Sequence, residues 1–272
     1  MTDVVATRSR IRGVAPLAWI GQALQWPIKA GRPQVISLLV GLAGWEILGR
    51  LLDFPFLPPF SVVLRASWEL TVSGEILGNL SASLVSLVVG YGLAATLGLT
   101  VGALMGRYRK VEHLLDVYLN AFLASPTLIW VPILFAFFGV SRLSQIAVVF
   151  LYSFWLITAN TLTGIRTVDG SLLEMARSFG ATERQLFWKI MLPGALPLIM
   201  AGLRIGMGRA VKGMINGEMF IALIGLGALI KIYGGRFDAA RVLGILIVII
   251  AVAVVTTSLV QALDRRVTRW AD

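Results

Sequence analysis

Long apolar stretches alternate with short polar and basic stretches along most of this chain. Six of them approach the roughly 20 residues that a helix needs to cross a bilayer. They are Val35–Leu52, Leu84–Met105, Leu114–Phe138, Gln145–Ile165, Ala195–Met214 and Val242–Leu263. The pattern therefore predicts an all-α, polytopic membrane protein with about six transmembrane helices.

The composition agrees with this prediction, since 57% of the 272 residues are hydrophobic and only 14% are charged. Soluble domains contain about 25% charged residues, so one water-soluble core does not account for this chain. The formal net charge of +10 would suit nucleic acid. The basic residues lie in short loops between apolar spans, however, and nucleic acid is not an expected partner.

The distribution of Lys and Arg predicts the orientation, because short cytoplasmic loops are enriched in them. One side receives both tails and two basic segments, Arg107–Lys110 and Arg166–Lys189. The other side receives fewer cations, namely Arg65, Arg142, Lys231, Arg236 and Arg241. We therefore expect both termini in the cytoplasm.

Two outer segments are too short to cross. The apolar stretch Met219–Ile232 would place the Arg-rich C-terminus outside if it crossed, so we predict a re-entrant or surface-lying segment at 216–236. An ordinary hydrophobic loop is the alternative. After the first span, Pro58-Pro59 precedes a short helix that ends near Gly74, with Ser61 as its expected N-cap.

The largest cytoplasmic loop, 167–193, contains two predicted short helices. The first ends at Phe179, where Gly180 can take a positive φ without steric cost. The second begins at Thr182, a natural cap, and Pro193 is expected to close the loop and open the next span.

Apolar residues recur at helical spacing in both short helices. They require either a partner protein or packing on the chain's own spans, and periodicity leaves both alternatives open. The residues are Leu172, Leu173, Ala176 and Phe179 in the first helix and Leu186, Phe187 and Ile190 in the second.

This loop resembles a known signature. Its order is Glu174-Met175-Ala176, three residues, Gly180, nine residues, Ile190, one residue, Leu192-Pro193. Permeases of binding-protein-dependent ABC importers carry Glu-Ala-Ala, three, Gly, nine, Ile, one, Leu-Pro, and the single departure here is Met175. Shorter motifs resemble the branch that imports nitrate, taurine, alkanesulfonates, bicarbonate and pyrimidine precursors; they are Ser73–Leu77, Gly202–Arg204, Gly208–Ala210 and Gly217–Met219.

The resemblance implies a type I (MetI-like) importer permease, a non-enzymatic transport subunit of a bacterial inner membrane. The apolar spans predict one membrane domain at 34–264, between cytoplasmic tails 1–33 and 265–272. The chain has no phosphate-binding loop and no expected cofactor, so ATP and Mg would belong to a partner ATPase. A periplasmic or lipid-anchored substrate-binding protein and a second permease copy are the other implied partners. The residues implied to contact the ATPase are Glu174, Met175, Ala176, Arg177, Phe179, Gly180, Ala181, Leu186, Phe187, Ile190, Leu192 and Pro193.

Ionisable and polar side chains within the spans are candidates for the translocation path. Arg204, Arg209 and Lys212 along the fifth span would favour a small anion such as a sulfonate, taurine or nitrate. Structural roles, including snorkelling and helix–helix hydrogen bonds, remain the alternative. The candidates are Asn120, Ser125, Thr127, Asn160, Arg204, Arg209, Lys212 and Glu218.

Two other functional classes are alternatives to an importer permease. A transporter driven by an ion gradient would use midspan carboxylates, of which the chain offers Glu46 alone. A receptor-like subunit would dock partners without moving cargo. No catalytic arrangement stands out, and His113 has no second histidine or cysteine nearby with which to hold a metal.

Overall fold

The computed structural model describes residues 31–52, 54–221 and 224–268, which form a bundle of helices. Five helices are long and apolar enough to cross a membrane, or six if one bent pair counts as a span. The predicted all-α fold is therefore confirmed. The helices are α1 Gly31–Leu52, α2 Phe60–Val72, α3 Glu75–Arg107, α4 Arg109–Ala124, α5 Trp130–Phe138, α6 Arg142–Arg166, α7 Gly170–Ser178, α8 Glu183–Leu186, α9 Leu192–Ile221, α10 Leu226–Gly235 and α11 Ala239–Val267.

The predicted tails fall mainly outside the described residues. These exclude 1–30 of the N-terminal tail and 269–272 of the C-terminal tail. The domain boundaries at 33–34 and 264–265 remain predictions.

The third predicted span, Leu114–Phe138, is not one straight helix. α4 and the helical segment Thr127–Phe138, which includes α5, meet at an angle of 95°. Ser125 is extended because the residue before a proline avoids helical backbone angles, and Pro126 supplies no amide donor. The Ser125 hydroxyl accepts a hydrogen bond from the Trp130 indole at 2.9 Å, which links the two sides of the break.

The centre of the bundle consists of α3, α6 and α9, which approach each other closely at glycines. A Cβ at Gly102 would lie 2.6 Å from the Thr158 carbonyl oxygen, and one at Gly202 would lie 2.5 Å from Asn160 Cβ. In membranes, such small residues let helix backbones pack at short range. The close approach of α6 to both neighbours therefore depends on the absence of side chains.

Hydrogen bonds between side chains and neighbouring helices fix the relative rotation of these three helices. Tyr91 of α3 donates to the Leu203 carbonyl of α9 at 2.9 Å. Asn216 of α9 donates to the Tyr152 hydroxyl of α6, also at 2.9 Å. Polar side chains therefore join helices here. This is the structural role that the sequence left open for polar residues within the spans.

The N-terminus of α2 is capped by a carboxylate from α1, and the expectation that Ser61 caps it is wrong. α2 begins at Phe60 without a side-chain cap of its own. The Glu46 carboxylate accepts from the Ser61 amide at 2.8 Å and from its hydroxyl at 2.9 Å. Arg50 donates to the same carboxylate at 2.6 Å. An anion is favourable at a helix N-terminus, so Glu46 holds α1 against α2.

The predicted outer segment 216–236 consists of two parts. Its first residues complete α9, and α10 is a separate ten-residue helix. Leu226, Leu229 and Tyr233 of α10 are buried in a cluster with residues of α2, α3 and α11. The segment is therefore helical and packed, and its depth in the membrane stays a prediction.

Candidate functional site

The predicted two-helix hairpin is present, and local sequence chemistry forms it. The Asp169 side chain caps α7 by accepting from the Ser171 amide at 2.9 Å. Gly180 has a φ of +80° after the end of α7. The Thr182 amide donates to the Gln185 side chain at 2.8 Å, as part of a reciprocal capping box at the start of α8. The predictions for Gly180 and Thr182 are confirmed.

Pro193 lies in the first turn of α9, so the prediction that it opens the span is confirmed, but it does not separate the loop from the span. Helical backbone continues from Glu183 to Ile221. Between α8 and α9 the residues Phe187–Met191 form a wider π-helical turn, in which the Leu192 amide donates to the Phe187 carbonyl five residues earlier. Such a turn accommodates Pro193 without breaking the helix. α8 is therefore continuous with the span α9.

Both alternatives for the apolar hairpin residues occur, each on a different helix. Leu186 is only 1% exposed, and Phe187 packs on the cluster formed by α6 and α9. On and just after α7, Met175 is 54% and Phe179 is 86% exposed. α8 thus packs on its own spans, and α7 presents an apolar surface that nothing in the described chain covers.

Arg107, at the end of α3, anchors the hairpin. Its guanidinium donates to the Glu183 carbonyl at 3.2 Å and lies 5.3 Å from the centroid of the Phe187 ring. The Glu183 carboxylate also pairs with Arg177 at 3.2 Å, which joins α7 to α8. Sequence reasoning counted Arg107 only as a basic loop residue, because its partner is 76 residues away.

The twelve residues predicted to contact the ATPase differ in how exposed they are. Glu174 forms no salt bridge with any described residue. Leu186 is buried. Exposed are Glu174, Met175, Arg177, Phe179 and Gly180, and intermediate are Ala176, Ala181, Phe187, Ile190, Leu192 and Pro193.

The predicted path residues do not converge on one site. Asn120 and Asn160 each donate to a carbonyl of their own helix at 2.9 Å. Arg204 lies 3.8 Å from the Asp264 carboxylate, and this ion pair fits the structural alternative for Arg204. Lys212 is exposed on α9. The structure brings two further candidates together, because Thr127 and Arg209 line one small cavity.

Glu218 is fully buried and holds the start of α10. Its carboxylate accepts from the Gly227 amide at 2.9 Å. Two neighbouring amides of the same turn donate to side chains of α3: Gly225 to Asn79 at 2.8 Å and Leu226 to Ser83 at 3.0 Å. Glu218 therefore occupies a structural position between helices.

Comparisons with known proteins agree with the signature loop. The family described as "binding-protein-dependent transport system inner membrane component" matches residues 94–269. The taurine transport system permease protein TauC of Escherichia coli (strain K12) is 30% identical over 256 residues, which is 90% of this chain and 92% of TauC. SsuC of Bacillus subtilis (strain 168), named as an aliphatic sulfonates transport permease, is 33% identical over 84% of each chain.

The fold is also similar to that of solved transporters. A chain of the inward-facing MetNI methionine ABC transporter superimposes with a TM-score of 0.60 at 21% identity. The match covers 69% of this chain and 93% of that one. The predicted MetI-like permease fold is therefore confirmed.

Proposed function

We propose, from the premise that this chain belongs to the family of binding-protein-dependent inner-membrane transport components, that its cargo is a small anion. As a member, it is the multi-pass permease subunit of an ABC importer and does not itself catalyse ATP hydrolysis. The observation that carries the anion proposal is the pair of exposed cations on α9, Arg209 and Lys212. The taurine and sulfonate permeases among its relatives support the same class of cargo.

The hairpin α7–α8 is the proposed contact with the ATPase, which would hold ATP and Mg. Phe179 and Met175 supply an exposed apolar surface of the kind that marks a protein interface. Because α8 continues into α9, a displacement of the docked hairpin would turn or tilt a span directly. A substrate-binding protein would deliver cargo to the opposite side.

Two copies of the chain are proposed to form the membrane unit, since symmetric pairs are the commonest oligomers. α1 supports this proposal, because it contacts mainly α2 and leaves Leu38, Leu39 and Val40 exposed. We further propose that both termini and the hairpin face the cytoplasm. The basic residues Arg107, Arg166 and Arg177 at that end of the bundle support this orientation.

The test is uptake by the complex of permease, ATPase and binding protein in liposomes. We expect ATP-dependent uptake of at least one of taurine, ethanesulfonate and nitrate, and none of a neutral aminopyrimidine. Phe179→Asp should release the ATPase during purification without lowering the melting temperature, because this side chain is 86% exposed. Uptake of only the neutral compound would overturn the anion proposal.

Transport driven by an ion gradient is the alternative, and the structure removes its main support. The Glu46 carboxylate is already engaged by Ser61 and Arg50 in joining α1 to α2. Uptake by the permease alone, without ATPase or ATP, would restore that alternative.

A further inference from the structure

A small cavity lies where the break between α4 and α5 meets α6 and α9. Its volume is about 40 Å³. Its polar lining is one guanidinium, one threonine hydroxyl and the polar edges of aromatic rings, and no carboxylate lines it. The polar and aromatic lining residues are Phe122, Thr127, Trp130, Tyr152, Trp155 and Arg209, and three leucines complete the lining. Irregular backbone at membrane depth is tolerated where it is packed in protein or lines a cavity, and Thr127 at the break meets this condition.

Trp155 is held rigidly with an unused hydrogen-bond donor. Its ring stacks on Phe122 at 4.6 Å and meets Phe154 edge-on at 4.8 Å. Its indole nitrogen is buried and has no acceptor among the described residues. The indole of Trp130, in the same lining, does have one, the Ser125 hydroxyl. Buried donors without acceptors are rare, so this N–H is available to an acceptor that the described residues do not supply.

Two further donors are available at the same cavity. The Arg209 guanidinium is exposed and forms neither a salt bridge nor a hydrogen bond with a described residue. The Tyr152 hydroxyl oxygen accepts from Asn216, which leaves its own proton for a ligand. A cation with several neutral donors and no nearby carboxylate favours an anion.

We propose that this cavity binds the anionic head group of the cargo, a sulfonate, carboxylate or nitrate, as it passes through the permease. This inference rests on the proposed function and assigns its anion to a site. A water needs roughly 10–15 Å³ of such volume, so 40 Å³ holds the equivalent of about three waters, enough for a head group.

The experiment uses the reconstituted complex with saturating, cargo-loaded binding protein and taurine, ethanesulfonate and nitrate as probes. Trp155→Phe keeps the stacked ring and removes the N–H, and Arg209→Gln removes the charge. Because the lost hydrogen bonds are to a charged group, we expect cargo uptake per ATP hydrolysed to fall about tenfold in each. Arg209→Lys should recover part of the loss. Trp68→Phe, a matched change on the exposed surface of α2, should match wild type.

The outcomes separate this inference from the proposed function. If wild type imports an anion and both Trp155→Phe and Arg209→Gln import it at the wild-type ratio, the cavity is not the site and the anion proposal stands. If wild type imports only neutral cargo, both fail. Arg209 is exposed, so Arg209→Gln decides the question even if Trp155→Phe does not fold. An unchanged melting temperature in a variant with reduced uptake would support ligand binding over a structural role.

Discussion

The contact between Gly225 and the buried Glu218 carboxylate predicts a steric coupling that can be measured. A Cβ at Gly225 would lie 2.3 Å from the carboxyl carbon of Glu218 and 2.5 Å from both of its oxygens. Gly225 also has a φ of +117°, in the region that favours glycine. Gly225→Ala should therefore cost about 1–3 kcal/mol in backbone strain and about 1–3 kcal/mol in overlap with the carboxylate.

Glu218→Ala alone should also destabilise α10, because the Gly227 amide loses its acceptor, at a cost of about 1–3 kcal/mol. In the double variant the overlap disappears, since the carboxylate that the new methyl group would strike is gone. The double variant should therefore cost about 1–3 kcal/mol less than the sum of the single variants, and the backbone strain should remain. Glu218→Gln keeps the shape and should give no such relief.

The assay uses the absence of cysteine from the chain. Ala228→Cys places one thiol on α10 at a position that is 1% exposed, so its labelling by a maleimide in detergent reports opening of this helix. Gly225→Ala should raise the labelling rate by at least about 30-fold, which corresponds to about 2 kcal/mol. Additive effects within about 0.5 kcal/mol in the double variant would refute the steric explanation.

Two further variants test the hairpin anchor and the close helix packing. Arg107→Ala removes the contacts with Glu183 and Phe187, so cargo uptake per ATP should fall several-fold while ATPase co-purification persists; Arg109→Ala, an exposed neighbour, is the control, and equal ratios would contradict the anchor. Gly102→Ala places a methyl group 2.6 Å from the Thr158 carbonyl oxygen and should lower stability by about 1–3 kcal/mol, seen as a reduced melting temperature. Gly78→Ala, with nothing within 4 Å, is the matched control, and the same melting temperature in both would count against the packing.

Much of the fold follows from patterns that act locally. Apolar stretches of bilayer length identify the spans, because lipid offers no partner for unpaired backbone groups. The geometry of Gly180 and Thr182 follows from backbone freedom at glycine and from the capping capacity of a hydroxyl. The spaced signature Glu174–Pro193 then identified the family, which the match over residues 94–269 confirms.

Ser61 and the segment before Pro193 differ from the local expectation for a common reason. Ser61 carries a hydroxyl that could cap α2, but a stronger acceptor arrives from Glu46 on another helix. Pro193 opens α9 as its missing amide donor predicts, but a π-helical turn at Phe187–Met191 joins α9 to α8 where a break was expected. In both places the sequence offered an adequate local solution and the packed chain adopted another.

The sequence by itself determined that this chain is an all-helical membrane protein with a two-helix loop, because bilayer thickness, capping and glycine geometry act over a few neighbouring residues. Only the tertiary structure decided that Arg107 holds Glu183 across 76 residues, that Glu218 clamps Gly227, and that Trp155 and Arg209 line one cavity. These contacts join residues of different helices. Their formation depends on how α3, α6 and α9 pack and rotate against each other, which no local pattern in the chain encodes.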